Sequence, residues 1–328
     1  MDETVTGKVR NAETERNHMN QKEQLLQKTI VVWFGALLCC ALWGSAFPCI
    51  KIGYQMFEIA SGDVASQILF AGCRFTLAGI LALLIGSGVG RSLLVPKKES
   101  WGKIFKLSLL QTVVQYLFFY VGLANTTGVK ASIIEGVNVF IAILVASLLF
   151  RQEPLTGRKI VGCVIGFAGV VLVNLTGSGL DLNFSFLGEG FIFLSTVAYA
   201  FSSVFLKRYS QEENPVVLSG WQFALGGVIM IICGFLAGGR LSVWTGAGAL
   251  MLIYLALVSA VAYSLWGILL KYNPVSRVAV FGFMNPVFGV ILSAILLQEE
   301  DSIGVMSMVA LALVCAGIYI VNRRKRDE

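Results

Sequence analysis

Histidine is almost missing from this chain: one residue, His18, among 328. It stands in a polar N-terminal segment, so the apolar part has no imidazole for a proton relay, a metal or nucleophilic chemistry. Charge is scarce too, at 13% of residues where a soluble domain carries roughly a quarter. The seven cysteines (Cys39, Cys40, Cys49, Cys73, Cys163, Cys233 and Cys315) are odd in number and scattered through apolar runs. They read as small buried hydrophobes rather than a disulfide framework or a metal site. No His-Glu-x-x-His, no paired aspartates and no Gly-x-Ser-x-Gly occur, which counts against an intramembrane enzyme. No phosphate-binding glycine loop is present, so direct ATP coupling is not expected, and no cofactor is called for. No stretch is large enough for a soluble domain, which disfavours a receptor or scaffold.

What the chain does have is apolar length. Hydrophobic residues make up 56%, in runs of about 20 that match the hydrocarbon thickness of a bilayer. Ten spans are expected, at about 30–50, 65–88, 102–122, 128–150, 158–176, 187–207, 215–237, 246–270, 276–297 and 303–322. Residues 1–28 read as a polar cytoplasmic tail without the apolar core of a signal peptide, and 323–328 as a basic one.

Lysine and arginine orient the spans. Arg91, Lys97, Lys98 and Lys103, then Arg151, Arg158 and Lys159, then Lys207 and Arg208, then Lys271, all fall in even-numbered loops. Arg323 to Arg326 continue the series in the tail. The odd-numbered loops hold only Lys51 and Arg240, with acids at Glu58, Asp63, Asp181 and Glu299 to Asp301. Both termini are therefore expected in the cytoplasm, in a bacterial inner (plasma) membrane. The net charge of +6 follows from this topology and needs no nucleic-acid partner.

The stretch from Tyr116 to Gly157 is repeated in one register by Tyr263 to Gly304. Lys130 falls on Arg277, Asn138 on Asn285, Leu149 on Leu296 and Glu153 on Glu300. At a shift of 148 Phe75 falls on Phe223, Gly79 on Gly227, Gly169 on Gly317 and Asn174 on Asn322; Lys51 falls on Lys207 at a shift of 156. Five spans is an odd number, so the second copy enters the membrane inverted. Its matching loops carry the opposite bias: Arg151–Lys159 is basic, Gln298–Gly304 acidic. The expected fold is all-α: ten transmembrane helices as two inverted five-helix repeats, 29–176 and 177–322, around a central cavity. Inverted repeats of this kind bind solutes at the repeat interface near the midplane.

These residues resemble the EamA-like exporters of the drug/metabolite transporter superfamily. Ala41–Lys51 is similar to that family's Trp-Gly-Ser-x-Phe signature, Arg74 to its second-span arginine, and Asn285–Glu300 to the end of its ninth span. Val139 departs by standing where the second copy has Pro286, and Gln152 and Glu299 precede the acids where the family has glycine. The resemblance covers about residues 30 to 322 and implies export of small metabolites or amphipathic compounds through a central cavity.

A charge at mid-bilayer costs at least about 2.5 kcal/mol, so each one must face the bundle interior. At about 1.5 Å per residue, Arg74 lies roughly 15 Å and Glu135 roughly 10 Å below the outer surface. Gln111 and Gln115 are one turn apart on the third span, and Asn138 shares the face of Glu135. These five form either a solute site, with Glu135 as a proton-coupling group, or an Arg74–Glu135 pair with glutamines as interhelical glue. In the second copy Gln222 matches Arg74 and Asn285 matches Asn138. Pro286 is expected to kink the ninth span and leave the Gly282 carbonyl free toward the cavity. Trp43, Tyr199, Tyr263 and Trp266 lie within spans and can stack on a solute. The expectation is a secondary transporter, proton-coupled if Glu135 titrates and a facilitator if it does not. Its partners would be a small-molecule solute and the bilayer; the oligomeric state is not legible.

Overall fold

The computed structural model describes residues 21, 23–60, 62–126, 128–174, 184–297 and 305–323, and these are helical with connecting turns. The helices are α1 (Thr29–Met56), α2 (Val64–Gly90), α3 (Lys98–Ala124), α4 (Gly128–Gly136), α5 (Asn138–Leu144, prolonged by a π turn over Val145–Leu149) and α6 (Gly157–Asn174). There follow α7 (Phe186–Tyr209), α8 (Pro215–Leu236), α9 (Gly246–Tyr272), α10 (Val275–Ala279), α11 (Met284–Leu297) and α12 (Val305–Asn322). Six of them, α1, α2, α3, α7, α8 and α9, are long and apolar enough to cross a bilayer. The expected fourth span is divided at Val137, between α4 and α5. The expected ninth is divided by a 3-10 turn over Val280–Phe283, between α10 and α11.

Large apolar side chains stay on the outside: Phe34, Leu84, Val89, Leu149, Val164, Leu236, Leu250 and Met308 are all more than half exposed. A water-soluble surface does not carry such a belt; this is a multi-pass membrane protein. Polar side chains turn inward instead, with Ser108, Gln111, Thr112, Ser202, Ser219 and Gln222 buried. Helix starts are capped where they meet polar surroundings. Asp63 accepts the Ser66 amide at 3.0 Å, Asn214 the Val216 amide at 2.9 Å and Thr245 the Gly248 amide at 3.0 Å, each satisfying a donor the helix cannot.

In a membrane, helices approach by van der Waals contact, so small residues decide where they meet. α2 packs on α8 and α6 on α12. A Cβ on Gly79 would overlap the backbone nitrogen of Ala224, and one on Gly227 that of Thr76. The pairs run in opposite directions, Gly72 meeting Ile231 where Gly79 meets Ala224, so α2 and α8 are antiparallel. At the other crossing a Cβ on Gly169 would lie 2.7 Å from the Ala310 carbonyl, and one on Gly317 2.5 Å from that of Gly162. α1 lies against α9 and α11, while α3 and α5 lie against α7.

Loop contacts sort the molecule into two ends. At one, the Lys97 amide donates to Glu213 at 3.0 Å, Trp221 Nε1 to the Leu94 carbonyl at 3.0 Å and Arg158 to the Arg323 carbonyl at 3.0 Å. Lys103 and Glu212 form an ion pair there. Burial raises the Glu213 carboxyl, but the amides of Lys97 and Asn214 outweigh it and hold it below the ordinary range. At the other end the Arg240 amide donates to Ser66 Oγ at 2.9 Å, and Glu189 accepts from Thr126 and the Ser185 amide. The described basic loops thus gather at a single end. The acidic loop Gln298–Gly304, Asp181, His18 and the basic tail from Arg324 onward lie outside the described residues.

Candidate functional site

Between the two ends lies a cavity of about 230 Å³. α1 contributes one face to it, Trp43, Ala46, Ile50, Lys51 and Tyr54; α3 contributes Gln115, Tyr116, Phe119, Tyr120 and Leu123. Arg74 comes from α2, Glu135 and Asn138 from α4 and α5, Ser195, Thr196 and Tyr199 from α7, Ser259 and Tyr263 from α9, and Asn285 from α11. Lys51 and Leu123 are exposed and mark the mouth. It opens at the end away from the basic loops.

Aromatic rings close the floor. Trp43 meets Tyr263 and Trp266 edge-on, each with centroids 5.0 Å apart. Phe75 stacks on Phe223 at 5.2 Å, and the hydroxyls of Tyr116 and Tyr263 are 2.8 Å apart. The Arg74 guanidinium is 4.3 Å from the Phe75 ring centroid and 5.9 Å from that of Tyr116, a cation held against π faces. Its side chain is 4% exposed, and no ion pair joins it to Glu135 among the described residues. Arg74 Nε, Trp43 Nε1, Gln115 Oε1 and Asn285 Oδ1 are buried with no hydrogen-bond partner among those residues. Buried polar atoms are nearly always paired. With the Tyr54 and Tyr120 hydroxyls, six around one cavity are not, and they are donors and acceptors left for something that enters it.

Eight of the eleven expected site residues line this cavity: Trp43, Arg74, Gln115, Glu135, Asn138, Tyr199, Tyr263 and Asn285. Three do not. Gln222 donates to Gln111 Oε1, and the Ser108 hydroxyl donates to the Gln222 carbonyl at 3.0 Å. The two glutamines thus pin α3 to α8, away from the lining. Trp266 packs behind Trp43 in the core. Gln111 and Gln115, expected to act together at the site, part company: Gln111 is bonded to Gln222 while Gln115 lines the cavity, in a helix that runs as a π segment over Ser108–Val114.

A second expectation fails at Pro286. The Gly282 carbonyl is not free, because the 3-10 turn supplies it with a backbone N–H at the start of α11. That N–H belongs to Met284 and is directed at both the Gly282 and the Phe281 carbonyls, ahead of the proline that has none to give. Tyr54, Phe119, Tyr120, Ser195, Thr196 and Ser259 were not expected at the site. Extending the helical faces of Trp43, Gln115 and Tyr199 by three- and four-residue steps reaches most of them.

Comparison with known proteins agrees with this architecture. The EamA-like transporter family matches the chain twice, over residues 30–175 and 186–323. The chain is 24% identical over 291 residues to the uncharacterized transporter YvbV of Bacillus subtilis, covering 88% of this chain and 90% of that one. It is 28% identical to an uncharacterized transporter of Archaeoglobus fulgidus, covering 89% of this chain and 99% of the relative. A probable amino-acid metabolite efflux pump of Escherichia coli is 27% identical, covering 87% and 92%. One crystal structure, 18% identical, shares the fold with a TM-score of 0.71 over 88% of this chain and 95% of the other. These relatives are transporters, not enzymes.

Proposed function

The chain belongs to the EamA-like transporter family, and from that premise we propose that it exports small metabolites by alternating access between two inverted five-helix repeats. The observation that carries this reading is a polar midplane cavity, open at one end and closed at the other, whose Arg74 and Glu135 are not paired with each other.

Several features support the inverted repeat. The family matches each half separately. Phe75 stacks on its repeat mate Phe223, and Tyr116 bonds its mate Tyr263. Both glycine crossings are reciprocal: Gly79 meets Ala224 as Gly227 meets Thr76, and Gly169 meets Ala310 as Gly317 meets Gly162. Exchanging the halves converts the packing of α1 on α9 and α11 into that of α7 on α3 and on α5. With the basic loops cytoplasmic, both termini are cytoplasmic and the cavity faces outward.

The lining suits a solute with an anionic group for Arg74, a cationic or protonated group for Glu135 and an apolar body against Trp43, Tyr116 and Tyr199. Amino acids and amphipathic amines have this make-up, and the name of the Escherichia coli relative favours testing amino acids first. Glu135 is the candidate for proton coupling, since a carboxylate without a fixed cationic partner can exchange its proton as the cavity changes sides. If it does not, the protein is a facilitator of the same solutes.

Flux of an amino-acid and amine panel in vesicles, with and without an imposed pH gradient, tests this. Arg74→Gln is expected to abolish flux of carboxylate-bearing solutes, and Glu135→Gln to remove the response to the gradient. No flux of any panel member by the parent chain would overturn the reading; flux unaltered by Arg74→Gln would move the site elsewhere.

A further inference from the structure

The end opposite the mouth is closed by polar bonds, both between the two halves and within each. Arg151, in the left-handed conformation at φ 50°, stops the helix after the π turn and sends the chain back under it. Glu153, two residues on, is thereby buried at 8% exposure. Its carboxylate accepts from the Ser276 amide at 2.9 Å and the Ser276 hydroxyl at 2.7 Å, with Lys159 Nζ at 3.1 Å. The first half thus grips the start of α10. Beside it Lys207 Nζ donates to the carbonyls of Leu270 and Asn273 at the end of α9. Asn273 also holds the segment before α1, donating to the Leu26 carbonyl at 3.1 Å.

Outside these bonds lies a second cavity of about 660 Å³, bounded by Phe150, Gln152, Lys207, Arg208, Lys271 and Asn273 among others, with no carboxylate in its wall. Arg208 and Lys271 make no hydrogen bond or ion pair through their side-chain nitrogens among the described residues. Aligning the first helix of each half, α1 on α7, at a shift of 156 sets Lys207 on Lys51. Lys51 stands at the open mouth, exposed and without a hydrogen bond among the described residues, while Lys207 is engaged at the closed end. One cation is released where its mate is bound.

We infer that this second cavity is the inner docking site for an anionic group of the solute, that the Glu153–Ser276 and Lys207–carbonyl bonds beneath it are its gate, and that Lys51 takes the role of Lys207 when the mouth closes. The inference rests on the alternating-access reading. The chemistry is competition. A carboxylate or phosphate drawn in by Arg208 and Lys271 offers Lys207 a charged acceptor in place of two neutral carbonyls, and charge-assisted bonds are the stronger. Freed of Lys207, the end of α9 loses its tie to α7, and what holds it toward the first half is the bonding of Ser276 to Glu153 and of Asn273 to Leu26.

The test uses the full-length chain carrying Ser259→Cys, a reporter in the wall of the central cavity. Right-side-out and inside-out membrane vesicles are treated with anionic sulfonatoethyl and cationic trimethylammonioethyl methanethiosulfonate, and the reporter peptide is followed by mass spectrometry separately from the native cysteines. In the parent, labelling is expected from the mouth side. Glu153→Gln should raise labelling from the sealed side by at least about 10-fold, the shift expected when hydrogen bonds to a charged group are weakened. From that side the anionic reagent should react faster than the cationic one, relative to their rates with a free thiol. Arg208→Gln with Lys271→Gln should erase that preference. Adding Lys51→Met to Glu153→Gln should return sealed-side labelling toward the parent's, because the mouth then cannot close.

Unchanged sealed-side labelling in both Glu153→Gln and Lys207→Met, each eluting as a monodisperse species, overturns the gate. Equal rates for the two reagents overturn the anionic docking site. Should Glu153→Gln not fold, Ser276→Ala removes one donor and should give a smaller increase in the same direction. Solute flux in the same vesicles reports on transport by itself. Intact flux without the change in sidedness sinks the gate alone; absent flux with that change sinks the transport reading alone.

Discussion

A methyl group added at the α2–α8 crossing should cost stability even though it improves the helix. Alanine is the better helix former by about 0.8–1.0 kcal/mol. At Gly79, however, the new Cβ would overlap the backbone nitrogen of Ala224, and at Gly227 that of Thr76. Backbone atoms cannot swing aside as a side chain does, so the helices must part. Overpacking typically costs about 1–3 kcal/mol, which exceeds the propensity gain across most of its range. Gly88 lies in the same helix with nothing within 4 Å of a built Cβ, so only the gain remains there. Gly79→Ala and Gly227→Ala should therefore each destabilise by a net of up to about 2 kcal/mol, and Gly88→Ala should stabilise by up to about 1 kcal/mol. The two clashes press on one contact, and helices parted by the first methyl have room for the second. The double variant should fall short of the sum. Denaturant unfolding in detergent micelles gives all four values. Equal midpoints for Gly79→Ala and Gly88→Ala would refute the crossing; strict additivity of the pair would refute the shared contact.

Other expectations follow from the buried polar bonds. Gln111→Leu or Gln222→Leu strands the other amide and should cost about 1–3 kcal/mol, while the double replacement costs less than the sum; unfolding midpoints check this, and solute flux per folded molecule should be unchanged. Tyr116→Phe removes the hydroxyl pair with Tyr263 across the cavity floor and should cost about 1 kcal/mol, read by the same unfolding measurement. The Glu213 carboxyl is held below its ordinary value, so its contribution is complete above the unfolded-state value of about 4.3 and is lost as pH falls through the lower folded-state one. Amide exchange at Lys97 should accordingly stay protected from pH 7 down to about 5 and rise only in stronger acid. Glu213→Gln should bring that loss to neutral pH.

Membrane embedding, the approximate spans and the sorting of basic loops to one end were legible in the chain, because each is a local matter. Whether some 20 residues prefer hydrocarbon depends on those residues alone. The repeat was legible for the same reason, as a register between two stretches of text. Pairs such as Tyr116 and Tyr263, or Phe75 and Phe223, then turn out to touch. The place of Arg74 and Glu135 in the cavity lining followed from the cost of burying charge, which leaves them nowhere to face but inward. What tertiary structure alone decided is which way each neutral polar group points and whether it finds a partner. Gln111 and Gln115 have the same side chain on the same helix, yet the presence of Gln222 makes one a strut and leaves the other in the cavity wall. Pro286 announces a break, but whether a carbonyl is left bare depends on how the preceding turn is bonded. Lys51 and Lys207 occupy matching places in the text; among the described residues one is free and one is bound, because only one end of the molecule is closed.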